Sequence, residues 1–79
     1  MLTAISNETF QEISALIETK QFEAAENRIK QCLKLLGCNE SQIYNLMSYA
    51  YEKAESCGQD QVLIIAIELL SAFSNKGSV

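Results

Sequence analysis

The chain has 79 residues, 48% of them hydrophobic and 20% charged, which describes one globular domain near the lower size limit for folding alone and excludes a disordered chain. Ten acidic residues against six scattered basic ones leave a formal charge of −4, which disfavours a phosphate-binding patch or docking on an acidic membrane; no nucleic-acid partner is expected. There is no histidine, and Cys32, Cys38 and Cys57 have no CxxC spacing, so no metal site and no cofactor is expected.

The first residues, MLTAISNETF, lack a basic start followed by an apolar run and do not read as a signal peptide. Fraying is expected over Met1 to Ile5. Ser6 or Asn7 is a good N-cap, with Glu8 in the first turn where the helix dipole favours a negative charge. Phe10, Ile13, Leu16 and Ile17 then follow at helical spacing, so a first helix is expected to about Thr19. Lys20 and Gln21 make a tight connection without glycine.

Phe22, Ala25, Ile29, Cys32, Leu33 and Leu36 form the apolar stripe of a second helix. Glu23, Glu26, Arg28, Lys30 and Lys34 line its other side, and Glu26 and Lys30 stand four apart in the favourable order. Gly37 supplies the positive-φ residue that commonly closes a helix. Cys32 on the apolar stripe reads as a small buried hydrophobe, and the three thiols as the reduced cysteines of a cytoplasmic protein.

Asn39 followed by Gln42 reads as a capping box with Asn in place of Ser or Thr. The third helix carries Ile43, Leu46, Met47, Ala50 and Ala54 on one face, with Tyr44 and Tyr51 flanking it. Tyrosines so placed are core bodies with wet hydroxyls or anchors at an interface. Gly58 ends this helix and Asp60 caps a fourth, DQVLIIAIELLSAF, running to Phe73. Asn75 to Val79 reads as a flexible tail.

The fourth helix is apolar on nearly every side. Its apolar run is shorter than the roughly 20 residues needed to span a bilayer and contains Glu68, so membrane insertion is not expected. Val62, Ile65, Ala66 and Leu69 fall on one line and are expected to pack onto the third helix. Leu63, Ile67 and Leu70 fall on another, and part of that surface is expected to meet a partner or a second copy of the chain. Glu68 is either a surface-facing break in the pattern or an anchor for a partner's arginine or lysine.

A step of 34 residues brings Thr9 onto Ile43, Phe10 onto Tyr44, Ile13 onto Met47 and Leu16 onto Ala50. Over Lys20 to Gly37 the chain resembles the turn and second helix of the tetratricopeptide repeat, whose period is about 34 residues. Phe22 takes the aromatic position, Ala25 the alanine, Ile29 the following large apolar position, Cys32 the second small position, and Leu33 and Leu35 follow; Gly37 stands where the family places proline. In the second unit Ile43 replaces the tryptophan and Leu46 is the leucine. Glu12 departs from a usual leucine, Ile13 and Met47 from a small residue, and Ala66 arrives seven residues late for the second alanine.

The resemblance implies an all-α fold of four antiparallel helices as two helix-turn-helix units, residues 6–37 and 40–74, with a tail over 75–79. It implies a bare last helix, since two units are fewer than the three such stacks usually need. With no histidine to activate a thiol and no phosphate-cradling glycine loop, an enzyme is not expected. The expected function is a cytoplasmic protein-binding module, a chaperone or adaptor. Its ligand would be an amphipathic helix in a groove lined mainly by the first and third helices, with Leu63, Ile67, Leu70, Tyr44, Tyr51 and Glu68 as partner-binding residues. The small acidic chaperones of type III secretion needle subunits resemble it in scale and repeat. The alternatives are an immunity or antitoxin-type inhibitor of a basic toxin and a homodimeric structural protein.

Overall fold

Four α-helices, α1 (Asn7–Glu18), α2 (Phe22–Leu35), α3 (Glu40–Ala54) and α4 (Gln59–Lys76), make up the computed structural model, which describes residues 5–55 and 57–76. The fold is all-α. Local chemistry sets most of the boundaries. Ser6 caps α1 by accepting from the Thr9 backbone N–H at 3.2 Å. Asn39 caps α3 through a complete capping box: its side chain accepts from the Gln42 N–H at 2.8 Å, and the Gln42 side chain accepts from the Asn39 N–H at 2.9 Å.

Two helices end in the same six-residue closure. After α2, the N–H of Cys38 donates to the Leu33 carbonyl and that of Gly37 to Lys34, both at 3.0 Å. After α1, Gln21 donates to Leu16 at 2.8 Å and Lys20 to Ile17 at 3.0 Å. This Schellman pairing requires a left-handed residue at its centre. Gly37 meets the requirement at φ 95°, but in the first turn it is Lys20 that adopts φ 63°. The glycine-free connection is thus a turn of ordinary design with an L side chain in a glycine position.

The core collects Ile13 and Ile17 from α1, Ala25, Ile29, Cys32 and Leu33 from α2, Ile43, Met47, Ala50 and Ala54 from α3, and Val62, Leu63, Ala66 and Leu70 from α4. Around that core α4 packs against all three other helices, and α2 meets all three as well. No Cα of α1 comes within 8 Å of one of α3 among the described residues. So α2 and α4 form the middle of a flattened cluster, 37 × 25 × 18 Å, with α1 and α3 on its flanks. Arg28 joins α2 to α1 through Glu12 at 2.7 Å, and Tyr51 joins α3 to α2 through Glu26 at 3.3 Å. Both pairs are solvent-exposed, so each contributes at most about 1 kcal/mol.

This arrangement corrects three expectations. The last helix is central, not the bare end of a stack. Its buried side is centred between the two lines read from the sequence: Val62, Leu63, Ala66, Leu70 and Ser74 are buried, whereas Ile65, Ile67 and Leu69 are half-buried. Three neighbours cover a wider arc than one helix pair does, which is how a single chain encloses most of so apolar a helix. Finally, α4 continues through Asn75 to Lys76, where the tail was expected; residues 77–79 and 1–4 lie outside the described residues.

Candidate functional site

The six residues expected to bind a partner fall in three places. Leu63 and Leu70 have no exposed surface and belong to the core, so they cannot also be a contact surface. Tyr44 and Tyr51 stand on the side of α3. Ile67 and Glu68 line an open groove between α1 and α4.

Tyr44 is the most exposed large hydrophobic side chain among the described residues, at 73%. It borders a hollow of about 260 Å³ between α2 and α3 with Ile43, Met47, Lys30, Lys34 and Glu40. Tyr51 has internal work: its hydroxyl donates to Glu26 Oε1 at 3.3 Å and lies 3.4 Å from Gln59 Nε2, which donates to it. The other Glu26 oxygen holds Lys30 at 3.0 Å, the ion pair legible in the sequence. Tyr51 therefore links α2, α3 and the first turn of α4.

The groove between α1 and α4 has a different character. One part, about 270 Å³, is lined by Ser14, Ile17 and Glu18 of α1 and by Ile64, Ile67 and Glu68 of α4. A second hollow shares Ile67 and Glu68 with it and is lined further by Phe10, Asn7, Ser71, Ala72, Ser74 and Ile5, so that the two together form a trough along α4. From Ile64 to Ser74 it follows α4 for about 15 Å, given a rise of about 1.5 Å per residue. Ile17 is nearly buried, Phe10 and Ile67 are half-buried, and Ile64 is 39% exposed. Small side chains at Ser14, Ser71 and Ala72 leave the trough open where a larger pair would fill it. A groove between the first and third helices does not form, because those helices do not approach each other.

Phe10, Ser14, Ile17, Glu18, Ile64, Ser71 and Ala72 were not among the expected contact residues. The available signal was the serines: Ser14 and Ser71 interrupt apolar surfaces of α1 and α4 with side chains too short to fill a packed interface.

Burial pushes the Cys32 thiol above its ordinary value, against the pull of the nearby Arg28 cation and with a smaller push from Glu12. Burial raises Cys38 as well, and Cys57 is exposed. Among the described residues no group of three cysteine, aspartate or glutamate side chains is placed to hold a metal ion, and no helix is long and apolar enough to cross a membrane. No family model matches the chain, and neither does any curated protein or solved structure.

Proposed function

We propose that the chain is a protein-binding module, a non-catalytic cytoplasmic chaperone or adaptor that holds a helix of a partner protein in the groove between α1 and α4. One observation carries the reading: the apolar core opens along this seam into a trough floored by Phe10, Ile17 and Ile67 and edged by exposed Ile64. A trough about three turns long with an apolar floor has the form that an amphipathic helix fills with residues spaced three and four apart. The tetratricopeptide resemblance of the Lys20 to Gly37 sequence implies the same class, with a secretion-subunit chaperone as its specific form, although the groove of first and third helices that it implied does not form.

Capture from native lysate tests this, with tagged wild type, Ile64→Asp and Tyr44→Ala as baits. Ile64 is partly exposed, so its substitution should leave the helical circular dichroism intact. The wild type and Tyr44→Ala should retain one stoichiometric protein that Ile64→Asp loses. Retention of the same protein by all three baits would place the interface elsewhere.

A further inference from the structure

The bases on this molecule are segregated by helix, whereas acids such as Glu23, Glu26, Glu40 and Glu52 stand on α2 and α3 as well; the groove lies between the two helices poorest in bases. Helices α1 and α4 carry Glu8, Glu12, Glu18, Asp60 and Glu68 and have no lysine or arginine before Lys76 at the end of α4. Four of the six bases, Arg28, Lys30, Lys34 and Lys53, sit on α2 and α3. Glu12 is engaged by Arg28 on the far side of α1. Glu18 and Glu68 are exposed at the groove, and neither has a salt-bridge partner among the described residues. Every charged residue lining the trough is acidic; the hollow beside Tyr44 is lined instead by Lys30, Lys34 and Glu40.

We infer that the occupant of the α1/α4 groove is a basic amphipathic helix, its apolar stripe seated on Phe10, Ile17, Ile64 and Ile67 and its lysines or arginines meeting Glu18 and Glu68. The inference rests on the proposed protein-binding role of the groove. Two carboxylates beside an apolar floor attract a cationic helix and penalise an acidic one, so the site selects partners by repulsion as well as attraction. A second copy of the chain is disfavoured as occupant, since both copies carry a net charge of −4. Ser14, Ser71 and Ala72 let the bound helix approach closely enough for its side chains to reach both glutamates.

The test uses two fluorescein-labelled synthetic peptides of about 18 residues, long enough to overrun the trough at about 1.5 Å per residue. Both carry the same leucine stripe at helical spacing; the polar face is lysine in one and glutamate in the other. Anisotropy titrations on the full chain at low and high salt should show binding of the lysine peptide only, weakening as salt rises. Glu18→Gln/Glu68→Gln should weaken it roughly fivefold at low salt and flatten the salt dependence, while Glu23→Gln/Glu52→Gln on α2 and α3 should change little. Ile64→Asn should reduce binding in all salts.

Equal binding of the two peptides, both sensitive to Ile64→Asn, would overturn the basic-partner inference and leave the groove reading standing. If neither peptide binds and the chain is monomeric, or if binding ignores Ile64→Asn, the groove reading itself falls. A dimer in light scattering that Ile64→Asn dissociates, with no binding of the lysine peptide, would identify a second copy as the occupant.

Discussion

The backbone N–H of Ile5 donates to the hydroxyl of Ser74 at 3.3 Å, tying the residue that precedes the α1 cap to the last turns of α4. Ser74 is only 8% exposed and is the one buried polar side chain among the described residues. Ile5 and Ser74 also close one end of the α1/α4 trough. Ser74→Ala should cost about 0.5–1.5 kcal/mol, the ordinary net contribution of one such bond. Urea denaturation gives the size of the loss, and faster amide exchange at Ile5 would locate it. A variant with the parent's midpoint and exchange rate would show that the bond contributes nothing.

Core substitutions should divide according to the observed burial. Ile29 and Leu33 are fully buried, and Ile29→Ala should cost about 2–5 kcal/mol. Leu63→Asn should unfold the chain, because it places an amide where no partner is available. Ile64→Asn, one residue on but partly exposed, should stay within about 1 kcal/mol of wild type. Thermal melts followed by circular dichroism separate the three; equal losses at Leu63 and Ile64 would contradict the position of α4.

The two matched turns allow a paired experiment. Lys20 adopts φ 63°, where an L side chain crowds its own carbonyl, so Lys20→Gly should stabilise by about 0.5–1 kcal/mol after the entropic cost of glycine. Gly37 has φ 95° and open space around it, so Gly37→Ala should destabilise through backbone strain alone, by about 1 kcal/mol or more. Chemical denaturation of both variants checks the signs. A loss of stability in Lys20→Gly would mean that the lysine side chain contributes more than its backbone conformation costs.

Stability should fall at alkaline pH. The folded state holds the Cys32 thiol above its ordinary value of 9.0, chiefly because burial disfavours the thiolate. The unfolded thiol ionises first, so this contribution is complete below that ordinary value and is lost as pH rises through the folded one. Cys32→Ala should flatten the alkaline limb of a plot of stability against pH, even though the smaller side chain lowers the whole curve. A disulfide exchange reagent should modify exposed Cys57 first and buried Cys32 last, with the difference erased in urea. Rapid modification of Cys32 in the folded chain would show that α1 and α2 open readily.

The elements legible from sequence were those fixed by local chemistry. Ser6, Asn39 with Gln42, and Gly37 each act on backbone groups within a few residues, so their roles can be read from spacing alone. The buried stripe of α2 was legible for the same reason, since polar residues bracket it. On α4 the apolar residues run nearly all round, and periodicity gives the angles between side chains without the direction of the core. Leu63 and Leu70 were therefore assigned outward, though they lie at its centre. Glu18 gave no sign of the site either, because a glutamate in the last turn of a helix reads as a solvated residue. Its place beside Glu68 depends on the packing of α1 against α4.

The central position of α4 also governs the order in which the molecule can be assembled during synthesis. The hairpin of α1 and α2 emerges from the ribosome early, and α3 follows, but α1 and α3 make no close approach that would close a three-helix intermediate. Ile13, Ile29, Leu33, Ile43 and Met47 thus lack their shared cover until the residues from Gln59 onward are free to move. A nascent chain arrested before α4 would present a broad apolar surface to solvent. Cooperative folding then waits for the last helix, whose contacts with α1 and α2 span much of the chain and slow the search.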